Sequence, residues 1–190
     1  MSKFWMVLML GAASAAAWAE PAAFPSTTAG QSASKAQVSS AVQERRERQV
    51  LHELRMLPYF SVFDNLEFQV KGDRVVLSGQ VVRATLQSDA ESRVRKLEWV
   101  ERVDNRIEVL PVSFNDDRIR RRAYRAIYSH GVLQRYAQQP VPPIHIIVRN
   151  GHMTLVGVVA TEMERNVAYI QANSVSGAFS VTNRLRVERS

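Results

Sequence analysis

The chain repeats itself. The stretch from Leu66 to Val109, which opens LEFQVKGDRVVLSGQVV and closes VERVDNRIEV, returns from Ile144 to Val187 as IHIIVRNGHMTLVGVV and FSVTNRLRV. Gly157 stands 78 positions after Gly79, and at that shift, without a gap, Val70, Leu77, Gly79, Val81, Ala90, Val103, Asn105, Arg106 and Val109 meet identical residues. Most other matched apolar positions stay apolar: Leu66/Ile144, Phe68/Ile146, Val75/Met153, Leu97/Val175 and Ile107/Leu185. A hydrophobic register kept over such low identity marks two copies of one small fold. A length of 190 residues allows one ordinary domain or two small ones, and the repeat decides for two.

Each copy changes period along its length. Leu66, Phe68 and Val70 alternate with polar residues; after the Gly72-Asp73 turn, Val75, Leu77, Gly79 and Val81 alternate again, which predicts a hairpin with one buried face. Leu86, Ala90, Val94 and Leu97 then fall at helical spacing, on a helix expected to start near Ser88-Asp89 or slightly earlier. Val103, Ile107 and Val109 restore strand alternation. The second copy repeats this with Ile144, Ile146 and Val148, the Asn150-Gly151 turn, Met153 to Val159, a helix marked by Met163, Val167, Ile170 and Val175, and a last strand of Val181, Leu185 and Val187.

A helix precedes each hairpin. In the first copy Val50, Leu51, Leu54 and Leu57 have helical spacing and Pro58 ends the run, while Gln43, Arg46 and Glu47 upstream predict solvated first turns. In the second copy Ser113 or Asn115 can cap, Asp116 and Asp117 suit the positive helix start, and Gly131 suits its end. Gln134 to Pro143 is a connection.

The ends set the compartment. Lys3, the apolar run Phe4 to Ala13 and the small-x-small triplet Ala17-Trp18-Ala19 predict a signal peptide over residues 1–19, cleaved after Ala19, and so a periplasmic protein if the source is Gram-negative. Residues 20–42 read as a flexible leader, most clearly Glu20 to Gln37. Modules are placed at 43–111 and 112–190. Loss of Lys3 lowers the net charge from +7 to +6, a basic balance that in an exported protein points to anionic lipid or cell-wall polymer rather than nucleic acid. The chain has no cysteine, hence no disulfide, thiolate site or lipid-modified cysteine.

The runs Val75, Leu77, Gly79, Val81 and Val103, Asn105, Ile107, Val109, repeated as Met153, Leu155, Gly157, Val159 and Val181, Asn183, Leu185, Val187, resemble the BON family, the bacterial osmotic-stress and nodulation-associated domain. The resemblance implies an α+β fold of two tandem αββαβ modules, each a three-stranded mixed sheet packed on two helices. It further implies an envelope protein linked to phospholipid binding, envelope maintenance under stress or help to other exported proteins; it does not imply an enzyme, and no cofactor is assigned. The second copy keeps Gly177 before its last strand; the first has Trp99 there, which departs from the family pattern at that turn.

Little in the sequence suggests catalysis. His52, His130, His145 and His152 show no metal-ligand spacing, no G-x-S-x-G elbow or phosphate-binding glycine loop occurs, and Asp64, Asp73 and Asp89 lie at turns and helix starts where acids are expected; neither a catalytic nor a metal site is assigned. Gly79 and Gly157 sit mid-strand and predict close packing by a helix or a bulge; Asn105 and Asn183 predict amides bonded to backbone.

Two surfaces stand out. On the Arg118–Tyr128 helix, Ile119, Ala123, Ala126 and Ile127 group on one side, opposite Arg118, Arg121, Tyr124, Arg125 and Tyr128, a cationic and aromatic face suited to the phosphates of an anionic membrane surface. On the second sheet, Ile147, Val156 and Val158 point outward where the first copy is polar, which predicts cover by the first domain, a second copy of the protein or a client. The resulting reading is a non-enzymatic periplasmic protein bound peripherally to anionic phospholipid. Its alternative is a protein-interaction or chaperone-like module for exported proteins.

Overall fold

The computed structural model describes residues 28–139 and 141–188, with side chains from residue 40 onward. The expected signal peptide lies outside the described residues. Val38–Ser190 forms one compact unit that holds both copies.

The first copy runs α1 (Thr28–Arg55), β1 (Asn65–Lys71), β2 (Arg74–Val81), α2 (Ala84–Arg95) and β3 (Arg102–Val109). The second runs α3 (Phe114–Tyr128), a short α4 (Gln134–Ala137), β4 (Ile144–Arg149), β5 (His152–Val159), α5 (Glu162–Asn173) and β6 (Ser180–Val187). Each sheet is mixed: the hairpin is antiparallel, and the central strand pairs in parallel with the strand that follows the helix. The register is the same in both, since Gly79 faces Leu66 and Ile107 while Gly157 faces Ile144 and Leu185. The fold is the expected pair of αββαβ modules.

The two strand glycines have a common cause. Both take positive φ, 116° at Gly79 and 129° at Gly157, and a Cβ there would stand 2.1 Å from the Asn65 carbonyl oxygen or 1.8 Å from that of Pro143. The close neighbour is the backbone at the start of the partner strand, not a helix. The asparagines match as well. Asn105 donates to the Gln87 carbonyl and accepts from the Ile107 N–H, and Asn183 does the same with Arg165 and Leu185, which ties each last strand to its helix.

Several local expectations change. Helix α1 begins at Thr28, inside the stretch read as flexible, where Ala, Gln and Lys favour helix once Pro25 is passed. Its polar turns are not simply solvated: Gln43 donates to the Val70 carbonyl, and Arg46 donates to that of Gly72 while stacking over Trp99 at 4.9 Å. Trp99 in turn donates to Gln49, and β3 enters its sheet in the register of β6, so the departure from glycine leaves the turn intact. Helix α2 starts at Ala84, ahead of Ser88-Asp89. On α5 the buried residues are Glu164, Ala168 and Ala172; Met163 and Ile170 face solvent.

The modules are joined by the segment between α1 and β1. Val62 is buried in the second core although it belongs to the first copy, its carbonyl accepts from the Ile146 N–H on the free edge of β4, and Phe63 lies edge-on to Tyr124 at 6.3 Å. Asp64, 1% exposed, holds this segment by accepting from the Ser61 and Val82 N–H groups and the Ser61 hydroxyl. Arg149 on the outward side of β4 pairs with Glu108 on β3 at 2.7 Å.

Candidate functional site

Helix α3 begins with a Ser113 cap whose hydroxyl accepts from the Asp116 N–H. The buried Asp116 carboxylate accepts from the N–H groups of Asn150 and Gly151, so the helix start is fixed to the β4–β5 turn. Arg120, 3% exposed, reaches beneath the helix to the Val148 carbonyl and pairs with Asp117. Ile119, Ala123 and Ile127 complete the inward stripe. These contacts fix which way the remaining arginines point.

Arg118, Arg121, Arg122 and Arg125 are all exposed. Their hydrogen bonds go to neutral oxygens: Arg118 to the Asn115 side chain, Arg122 to the Ser176 carbonyl and hydroxyl, and Arg125 to the Arg121 carbonyl. Among the described residues none of these four forms an ion pair, whereas Arg120 of the same helix does. A solvated arginine face is ordinarily balanced by its own acids; here four guanidinium charges stand on one face without that balance. Arg122 joins the arginines expected on this face, since its spacing from Arg118 and Arg125 places it on the same side.

The tyrosines do not share that face. Tyr128 is 4% exposed, packs at 4.9 Å from Tyr124 and donates its hydroxyl to the Ile144 carbonyl. With its polar end satisfied, the ring next to Ile127 can be buried in the core, and burial pushes its phenol well above the usual range. Tyr124 is half-buried against Phe63. The surface is therefore cationic, with its aromatic residues turned inward.

On the outer face of the second sheet, Ile147 is 6% exposed and so is covered within the chain itself, Val156 is half-buried and Val158 is 37% exposed. His145 on the same face lies 5.6 Å from Phe60 of the first module, and its Nδ1 is buried without a partner. The loss of hydration there holds its imidazole below the usual value, against the opposing pull of the Asp64 charge and nearby backbone. A shallow cleft of about 390 Å³ lies where α4 meets the end of β5, lined by Arg135, Tyr136, Pro143, Val158 and Ala160. Its polar groups are already engaged. Glu164 accepts from the Tyr136 hydroxyl and the Thr161 N–H and pairs with Arg135, and Tyr136 also accepts from the Ala160 N–H. Burial opposes the charge on Glu164, but these hydrogen bonds outweigh it and hold the carboxyl below its usual range.

Among the described residues no group of three or more His, Asp or Glu side chains is placed to hold a metal ion, and no helix is long and apolar enough to cross a membrane. No curated protein matches the chain. Two solved structures of CdsD, a structural protein of the type III secretion system of Chlamydia trachomatis, are similar in part. One, of its C-terminal domain, is 12% identical with a TM-score of 0.26, covering 75% of this chain and 96% of that one. The other is 14% identical with a TM-score of 0.27, covering 76% and 92%. Those likenesses carry no functional weight. The BON domain family model matches residues 43–111 and again 115–189. The chain belongs to the BON domain family and carries two copies in tandem.

Proposed function

We propose that this tandem-BON protein acts in the cell envelope, without catalysis, by docking on an anionic phospholipid surface through the exposed face of α3. The observation that carries the reading is the set of four exposed arginines, Arg118, Arg121, Arg122 and Arg125, with no carboxylate partner among the described residues. Guanidinium groups grip phosphate oxygens through paired N–H donors, and each basic residue near an anionic membrane contributes about 1 kcal/mol. Binding is peripheral and falls as salt screens the charges.

The test is retention on phosphatidylglycerol-rich vesicles at low salt. Arg121→Glu with Arg125→Glu removes two positive charges and adds two negative ones at exposed positions, so retention should be lost while the fold survives. Unchanged retention by that double variant refutes the reading. Capture of an exported client by the second sheet has narrower support, because Ile147 is covered and only Val156 and Val158 retain exposure. For that reading Val156→Lys should abolish partner capture and leave lipid binding intact.

A further inference from the structure

The duplication supplies a control for helix α5. Its outward side carries Met163 and Ile170, 60% and 62% exposed, two turns apart on one face, with Tyr169 beside them at 40%. Helix α2 is its counterpart in the first module. The inward residues Leu86, Ala90 and Val94 correspond to Glu164, Ala168 and Ala172, and the paired bonds from Asn105 to Gln87 and from Asn183 to Arg165 fix the same shift of 78 at the level of atoms. At the outward positions of Met163 and Ile170, α2 has the exposed Thr85 and Ser92; in the place of Tyr169 it has the half-buried Glu91, which accepts from Asn105. The fold therefore does not require apolar groups there. Apolar side chains exposed to water where the sister helix is polar call for a reason outside the fold.

The charge pattern says what kind of partner fits. From Asn166 to Asn173 α5 carries no charged residue, and α3, which packs against it, presents the unpaired arginines. Arg122 donates to Ser176 just beyond the end of α5, so the cationic face adjoins the apolar one. An anionic polymer in water would use the arginines and leave Met163 and Ile170 idle. An apolar client would use Met163 and Ile170 and gain nothing from four cations. A bilayer surface uses both, with guanidinium groups at the phosphates, a tyrosine at headgroup depth and short apolar side chains at the acyl boundary.

We infer that Met163 and Ile170 insert shallowly into the acyl boundary of an anionic bilayer while α3 holds the phosphates. This rests on the reading of α3 above. Met163→Thr with Ile170→Ser installs the residues of the first module at exposed positions, so the fold should be unchanged by circular dichroism. Partition onto vesicles of phosphatidylglycerol and phosphatidylcholine should weaken about tenfold or more, and the fraction that resists about 0.5 M salt should vanish. Tryptophan emission from Ile170→Trp should be quenched by lipids brominated in their acyl chains. If the wild type binds but the double variant follows the same salt curve and Ile170→Trp is not quenched, the insertion is refuted and the α3 reading stands. If the wild type is not retained on anionic vesicles at any salt concentration, both are refuted.

Discussion

Replacing Gly157 by alanine probes the geometry that the two modules share. At φ 129° an L-residue is strained, at a cost of about 1–3 kcal/mol. The new methyl would also stand 1.8 Å from the Pro143 carbonyl oxygen, which is backbone and cannot swing aside as a side chain would. Separating them disturbs the start of the β4–β5 pairing and the bond from the Val158 N–H to that same carbonyl, worth about 1 kcal/mol. The sum is about 2–4 kcal/mol, a large part of the 5–15 kcal/mol that holds a typical domain together. In a unit of this size that lowers the melting temperature by about 4–16 °C. Thermal and urea unfolding followed by circular dichroism would measure it, with Gly131→Ala as control, since a Cβ there meets nothing within 4 Å and the backbone is ordinary. Gly79→Ala should behave like Gly157→Ala. Loss of less than about 1 kcal/mol in both would refute the account of the close strand approach.

Other consequences concern the joint between modules. Val62→Asp places a charge in the core of the second module although it alters the first, and should destabilise the second by about 2–4 kcal/mol, read as early proteolysis of the second module or a lowered urea midpoint. His145 has its folded-state pKa depressed by burial, so the folded protein favours the neutral ring. Its contribution is intact above the unfolded value of about 6.5 and is lost as pH falls from there toward the folded value. Stability measured between about pH 7.5 and 5 should fall more in the wild type than in His145→Gln, and equal slopes would contradict this. Tyr136→Phe removes a hydroxyl that joins Glu164 and the Ala160 N–H, takes one of the partners of the buried Glu164 carboxylate and should cost about 1–3 kcal/mol in urea unfolding.

The core of the fold was legible because alternation and helical spacing are properties of the backbone, and the repeat stated them twice. Gly79/Gly157 and Asn105/Asn183 were readable as structural for the same reason. What escaped the sequence was contact across distance. Nothing in the run Tyr59 to Asn65 announces that Val62 fills the other module's core or that its carbonyl meets the edge of β4. Tyr128 was misplaced because a hydroxyl can be buried once an acceptor such as the Ile144 carbonyl is within reach, which helical spacing alone does not show. The inward stripe of α5 is hidden in the sequence because its members, Glu164, Ala168 and Ala172, are small or polar, while the conspicuous Met163 and Ile170 lie outward. The repeat contained the correction, since Leu86, Ala90 and Val94 mark those inward positions by the shift of 78. The arginine row was readable from spacing, but its lack of carboxylate partners required the folded chain.

The most direct test of the central claim is flotation of the wild-type protein with vesicles of phosphatidylcholine alone and with increasing phosphatidylglycerol, each across a salt series. The account predicts binding that requires the anionic lipid and declines as salt rises, down to the salt-resistant fraction held by Met163 and Ile170. No binding at high phosphatidylglycerol, or equal binding to phosphatidylcholine alone, would contradict it.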